Sequence, residues 1–251
     1  MSRFTGKKAV VTGGTHGMGL GIVQGLIDGG AEVVLTGRSE AKVESARGLL
    51  TSPAAHVVRS DATSAADIEA LGTLVADTLG QVDAVFVNHG VAEFQTLDNL
   101  TEESFDKQFA VNTKGAVFTV KRLAPLVRDG GSFTFTTVAN DLIFPGLTAY
   151  SGSKEGLQAI TKVLAAEFLP RRIRVNSVAP GYIKTPSMGV PGLSDAERAA
   201  FEAEGDQSPL GRLGSIEEVA AAALFLGFDA TYTTAAELPV DGGFAQGIAS
   251  A

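Results

Sequence analysis

Tyr150 and Lys154 stand four residues apart in AYSGSKEG, a segment whose pattern predicts a helix, so their side chains share one helical face. A phenol with an ordinary pKa near 10 is a weak acid–base catalyst at neutral pH, and a neighbouring ammonium stabilises the phenolate and lowers that value. The pair is a candidate for proton transfer; a solvated Tyr/Lys pair is the alternative. Upstream, Thr137 lies at the end of the β-rich run SFTFTTV (132–138). A hydroxyl at the carboxyl end of a central strand stands where ligands bind in open α/β sheets, and it can hydrogen-bond a carbonyl oxygen. Otherwise Thr136 and Thr137 are simply good strand formers.

A second constellation lies near the start. The run AVVT (9–12) passes directly into Gly13-Gly14-Thr15-His16-Gly17-Met18-Gly19, after which the period becomes helical. Glycines at such a turn permit positive φ and close backbone approach, while the free N–H groups and dipole of the helix start attract a pyrophosphate. The spacing of Gly13, Gly17 and Gly19 is GxxxGxG, which differs from the GxGxxG fingerprint, and a glycine turn without a ligand is the alternative. The second run, EVVLT (32–36), ends in Gly37-Arg38-Ser39 with no carboxylate for ribose hydroxyls. Arg38 instead offers a guanidinium that pairs with a 2′-phosphate, so the chemistry favours NADP(H) over NAD(H) unless Arg38 is a solvated surface residue.

These residues need a frame to hold them. Further short apolar runs occur at HVVR (56–59), VDAVFV (82–87), IRVNSV (173–178) and ELPV (237–240), giving seven candidate strands. Between them apolar residues recur at helical spacing, as in Leu20, Val23, Ile27 and in Ile68, Leu71, Val75. Ser215 followed by Glu218 predicts a capping box. The alternation predicts one α/β domain over residues 1–251, a Rossmann-type, doubly wound, parallel seven-stranded sheet with helices on both faces. A (β/α)8 barrel would need an eighth strand. The Pro- and Gly-rich segment 179–214 breaks the rhythm. Residues near 186–209 are expected to form a substrate lid, with Met188, Val190, Leu193 and Phe201 facing Leu142 to Leu147 across an apolar pocket.

Composition removes several functions. There is no cysteine, and the three histidines (His16, His56 and His89) are scattered, so no metal site is expected. A net charge of −8 disfavours nucleic acid and anionic membrane surfaces, and no apolar stretch has the length of a bilayer span. A cytoplasmic protein acting on a small molecule is expected.

Taken in order, TGGTHGMG (12–19), Asp61 in SDAT, Asn88 and Gly90 in VNHG, Asn112 in VNTKG, Thr137, YSGSK (150–154), RVNSVAPG (174–181) and DGG (241–243) resemble the single-domain short-chain dehydrogenase/reductases over nearly the whole chain. Within that family TGR after the second strand, PLGRLGSIEEVA and ELPVDGG look most like NADPH-dependent alcohol dehydrogenases that reduce ketones and aldehydes. The resemblance implies that Tyr150 is the general acid in reduction and general base in oxidation. It implies that Lys154 binds the nicotinamide ribose and lowers the tyrosine pKa, and that Asn112 holds a water in a relay to Lys154. It places the cofactor on Gly13, Thr15, His16, Gly17, Met18 and Gly19 of the turn, with Arg38 and Ser39 after the second strand. Asp61 would meet adenine, Asn88 and Gly90 the adenosine-side ribose, and Ile183 with Thr185 the nicotinamide carboxamide, with Ala62, Pro180 and Gly181 also among the cofactor-binding residues. It also implies a D2 homotetramer, because helices expected over 101–127 and 149–170 resemble those that pair between subunits. Thr137 stands where the family usually has serine, and His89 where it usually has alanine. A 3-oxoacyl-carrier-protein reductase is the second enzymatic reading, with Arg128, Arg171 and Arg172 as landing residues for an acidic carrier. A catalytically idle cofactor-binding scaffold is the third.

Overall fold

The computed structural model describes residues 2–140, 144–186, 194–246 and 248. Seven parallel strands form one sheet: β1 Lys8–Thr12, β2 Glu32–Gly37, β3 Ala55–Arg59, β4 Val82–Val87, β5 Val127–Thr136, β6 Arg174–Pro180 and β7 Glu237–Val240. Their spatial order is β3-β2-β1-β4-β5-β6-β7. The order reverses between β1 and β4, and at this switch point an open α/β sheet leaves a crevice outside the carboxyl ends of its strands. The expected fold class is therefore the observed one.

Two apolar layers hold the helices to the sheet. On one face α1 (Gly17–Asp28) and α8 (Ile216–Leu224) cover β1 and β2 through Ile22, Val23, Leu26, Val219 and Ala223. On the other, α3 (Ala65–Thr78), α5 (Ala116–Leu123) and α6 (Thr148–Glu167) bury Leu71, Val75, Val120, Leu123 and Leu157 against Val85, Phe133 and Phe135. Alpha-helices α2 (Glu40–Leu49), α4 (Glu102–Phe109) and α7 (Asp195–Gly205) complete the set. The box predicted at Ser215 forms: its hydroxyl accepts from the Glu218 N–H at 3.2 Å, and its own N–H donates to the Glu218 carboxylate at 2.8 Å.

Two boundaries differ from expectation for physical reasons. The fifth strand begins at Val127, not Ser132, because Val127 pairs with Val82 ahead of an irregularity in register. Gly130 and Gly131 carry it; Gly130 has φ +78, and a Cβ on Gly131 would meet the Asp83 carbonyl at 2.8 Å. The helix expected over 101–127 is divided, since a π-helical segment at Ala110–Gly115 separates α4 from α5. That wide turn carries Asn112.

Candidate active site

Two cavities meet at the carboxyl ends of the strands. The larger, about 320 Å³, runs from the glycine turn past Arg38 and Asp61 to Lys154; the smaller, about 120 Å³, is walled by Phe94, Phe144, Tyr182 and Phe201 among others. Five residues line both: Met18, Ala92, Thr137, Tyr150 and Thr185. Three of these carry hydroxyls, so the seam between the cavities is where a proton donor would meet both occupants.

Helix α6 and the π-helical segment fix this seam together. Asn112 is fully buried; its Oδ1 accepts from the Val91 N–H at 2.8 Å, and its amide donates to the Val91 carbonyl and to Ser153 Oγ, each at 2.9 Å. Thr113 Oγ1 donates to the Ser153 carbonyl at 2.8 Å. Both amide hydrogens of Asn112 are thus engaged by protein, and a water held there would have to donate to it. Asn112 lines neither cavity; it stands behind Gly90, where an added Cβ would lie 3.3 Å from Asn112 Oδ1 and 3.1 Å from Lys154 Nζ.

Electrostatics at the pair differ from the expectation. Burial pushes Tyr150 up to about 12 and Lys154 down to about 8. The ammonium donates to the Thr136 carbonyl at 2.8 Å, and desolvation of the phenol governs its acidity here rather than the lysine charge. At neutral pH both groups are protonated, which leaves Tyr150 in the proton-donating form.

A buried charge of this kind costs stability. With an ordinary pKa of 10.5 and a folded value of about 8, the unfolded chain binds the extra proton between those limits, so stability rises with pH across that window and the full cost, about 3 kcal/mol, applies below pH 8. Lys154→Met is therefore expected to abolish activity yet raise Tm by about 5 °C at pH 7, an advantage that fades above pH 8. A lower Tm at pH 7 in thermal unfolding would show that the bond to Thr136 outweighs the buried charge.

Thr137 departs most from its expected orientation. Its N–H donates to the Val178 carbonyl at 2.9 Å, extending the ladder of β5 by one residue. Its hydroxyl donates to Glu237 Oε1 of β7 at 2.8 Å, with the Val178 carbonyl at 3.2 Å. The proton expected to face a carbonyl oxygen is held by a carboxylate two strands away. Glu237 is the residue that sequence reasoning missed here; only its place at the start of the ELPV run marks it.

The cleft fits a dinucleotide at several points. A Cβ on Gly13 would meet His89 Cα at 2.8 Å, and one on Gly19 would meet the Gly13 carbonyl at 2.1 Å, so the turn closes only with glycine. Asn88 Nδ2 donates to the Gly13 carbonyl at 3.2 Å, and Asn88 Oδ1 accepts from Thr136 at 3.0 Å. Asp61 accepts from Thr63 N–H and Oγ1 at 2.9 and 2.8 Å, which aims its carboxylate at the cleft wall. Thr185 Oγ1 is buried without a hydrogen-bond partner among the described residues, an orphan suited to a carboxamide. Of the expected cofactor residues, Gly13, Thr15, His16, Gly17, Met18, Arg38, Ser39, Asp61, Ala62, Asn88, Gly90, Tyr150, Lys154 and Thr185 line the larger cleft. Pro180, Gly181 and Ile183 line the smaller cavity instead, and Gly19 acts by packing beneath the turn.

Other residues were missed or fall elsewhere. Lys42 lines the cleft with its Nζ 3.0 Å from His16 Nε2, and its position four residues after Arg38 at a helix start was the available signal. Burial, then the Lys42 charge, lowers the His16 pKa. His89 packs at the strand end with Nδ1 2.7 Å from Thr12 Oγ1. Burial, then the Lys154 charge, holds its ring down to about 4 and therefore neutral. Of the expected pocket residues, Phe144, Leu147 and Phe201 line the smaller cavity, whereas Leu142, Met188, Val190 and Leu193 lie outside the described residues. No described cluster of His, Asp and Glu could hold a metal ion, and no described helix is long and apolar enough to cross a membrane.

A parallel α/β sheet with a glycine-lined cleft at its switch point, a Tyr/Lys pair and a second cavity beside it has the architecture of the dinucleotide-binding α/β proteins. Residues 13–245 match the family model described as enoyl-(acyl carrier protein) reductase. The chain is 36% identical over 249 residues to L-xylulose reductase of Bos taurus (96% of this chain, 98% of that one), and 33% identical over 248 residues to the 3-oxoacyl-[acyl-carrier-protein] reductase FabG of Chlamydia pneumoniae (96% and 97%). Among solved structures it superposes on levodione reductase with a TM-score of 0.88 at 28% identity, covering 98% of this chain and 100% of that one. A doubly substituted Serratia marcescens short-chain dehydrogenase/reductase gives 0.87 at 28% identity (97% and 99%). The chain belongs to the short-chain dehydrogenase/reductase family and is an oxidoreductase of that family.

Proposed function

We propose that the protein is an NADP(H)-dependent carbonyl reductase and alcohol dehydrogenase, acting on a ketone or aldehyde and, in reverse, on an alcohol. The observation that carries this reading is the seam: Tyr150 lies on the wall of both cavities, and its hydroxyl makes no hydrogen bond among the described residues. A nicotinamide cofactor bound in the larger cleft supplies the hydride that converts the carbonyl carbon to a carbinol. Tyr150 donates its phenolic proton to the carbonyl oxygen, and Lys154 holds positive charge against the phenolate that forms. Gly13, Gly17 and the start of α1 hold pyrophosphate; Thr185 holds the carboxamide; Asp61 meets adenine. A panel of ketones and alcohols with both dinucleotides, followed by cofactor absorbance, tests the reading, and no cofactor consumption with any carbonyl would overturn it.

Preference for the 2′-phosphate rests on charge. Arg38, Lys42 and His16 gather at one end of the cleft, whose described lining contains a single acid, Asp61. Charge-assisted hydrogen bonds are worth about 1.5–3 kcal/mol each, so Arg38→Leu is expected to weaken NADPH binding about thirtyfold and Lys42→Ala about tenfold, with NADH little changed. Equal losses for both dinucleotides in calorimetry would refute the assignment. Position 37 could take an acid for ribose hydroxyls only by displacing Thr15, because a Cβ on Gly37 would meet Thr15 Oγ1 at 2.5 Å.

The carrier-protein reading has less support. Arg128 opens β5, and Arg171 and Arg172 precede β6, so all three stand at the amino ends of the strands, opposite the site. Arg128 is paired with Asp83 at 3.1 Å and Arg171 with Asp129 at 2.9 Å. A homotetramer belongs to the same proposal: Phe118 of α5 and Val163 of α6 are exposed apolar side chains on the two helices expected to pair.

A further inference from the structure

Outside the reaction centre, the feature that carries most information is the chemistry of the smaller cavity's wall. We infer that this cavity selects an uncharged ketone bearing a single ring, and that Phe94 sets the limit; the inference rests on the carbonyl-reduction reading above.

Three observations lead there. First, no Asp, Glu, Lys, Arg or His is among the described residues lining the cavity. Of the six polar side chains that reach it, three are engaged by protein, Asn140 donating to Glu155 at 2.6 Å, Tyr182 to Glu204 at 2.8 Å and Thr137 to Glu237 at 2.8 Å, while Tyr150 and Thr185 keep free hydroxyls at the seam with the larger cleft and Ser151 one on the wall. A carboxylate placed here would lose water with no cation to meet it, and a sugar would find few free partners for its several hydroxyls. The names of two relatives, L-xylulose reductase and L-fucose dehydrogenase, point to sugars, and this wall is unsuited to them.

Second, the apolar surface is built from rings set edge to face. Phe94 meets Tyr150 with centroids 6.0 Å apart at 68° and Phe144 at 5.9 Å and 86°. Tyr182 and Phe201 make a second such pair at 4.7 Å and 70°. Flat apolar guests are favoured between walls of this kind, because ring edges and faces are electrostatically complementary. Phe94 is 37% exposed, a large aromatic left open in the chain after β4, and a bound ring would cover it.

Third, the cavity is about 120 Å³, and an apolar cavity of about 150 Å³ is known to take one benzene molecule. That volume matches one ring rather than two, and Phe94 is the most exposed aromatic ring of the described lining. In the reaction, the ring-bearing carbonyl carbon takes a hydride from the reduced dinucleotide and its oxygen takes the Tyr150 proton, giving a secondary alcohol and the oxidised dinucleotide.

The test uses the whole purified chain with NADPH and four probes: acetophenone, benzophenone, L-xylulose and benzoylformate. Acetophenone is expected to exceed each of the others at least tenfold in kcat/KM. Phe94→Ala should lower that value for acetophenone about tenfold, chiefly through KM, and raise it for benzophenone. Phe94→Leu, which keeps apolar bulk and guards against a folding defect in the alanine variant, should still exclude benzophenone while losing part of the acetophenone rate. Preference for L-xylulose or benzoylformate, or an equal change for every ketone on substitution at Phe94, would overturn the inference and leave carbonyl reduction standing. No turnover of any carbonyl by the parent would remove the underlying reading and this inference with it.

Discussion

Tyr150→Phe is expected to lower kcat/KM for ketone reduction about a thousandfold while leaving dinucleotide affinity within about twofold. General acid catalysis by a positioned side chain contributes about a hundredfold to ten-thousandfold, and the phenol lines both cavities in its proton-donating form. The ring is retained in the variant, so the edge-to-face contact with Phe94 survives. Among the described residues the lost hydroxyl has no hydrogen-bond partner, so nothing buried is left unpaired and Tm should be unchanged or slightly higher. Steady-state kinetics with calorimetric dinucleotide binding separates the outcomes. Activity within tenfold of the parent would mean that another group, Thr137 or a water, delivers the proton.

Much of this site is legible in the sequence because local signals and the sheet agree. Alternating strands and helices give the sheet, the glycine turn gives the cleft, and four-residue spacing puts Tyr150 and Lys154 on one face of α6. Each is a short-range property. The orientation of Thr137 is not, because its hydroxyl is directed by Glu237, one hundred residues later and two strands across. The raised pKa of Tyr150 is not legible for a related reason. Spacing shows that a lysine is near but not that both groups are buried, and desolvation acts on each separately. Phe94 follows β4 in a stretch without period, so its meeting with Tyr150 depends on where α6 is carried by the sheet. The start of β5 lies ahead of Gly130 and Gly131, outside the run SFTFTTV, and only in three dimensions does Val127 rejoin Val82.

The second large effect separates two glycines that the sequence presents as equivalent. Gly17 and Gly19 both belong to GxxxGxG, yet they are glycine for different reasons. Gly17 has φ +55 and nothing within 4 Å of an added Cβ, so alanine there meets only backbone strain, about 1–2 kcal/mol, and Tm should fall by about 2–6 °C. At Gly19 the backbone is unstrained, but a Cβ would lie 2.1 Å from the Gly13 carbonyl oxygen and 2.5 Å from Asn88 Nδ2. Neither neighbour can yield cheaply. The Gly13 carbonyl belongs to the turn itself, and Asn88 is tied to that carbonyl and to Thr136. Relief requires the first turn of α1 to move away from the end of β1, which breaks the Asn88 bond and separates the N–H groups that would hold pyrophosphate. Gly19→Ala is therefore expected to lower Tm by about 10 °C or more and to weaken dinucleotide binding at least a hundredfold, whereas Gly17→Ala keeps binding within about tenfold. Asparagine, which tolerates the left-handed region, should recover part of the loss at Gly17 and none at Gly19. Thermal unfolding without ligand reads the packing, and calorimetric titration reads the cradle. Equal losses at the two positions would mean that the turn relaxes more freely than its contacts indicate, and the close approach of Gly19 to Gly13 would not be what holds the cleft open.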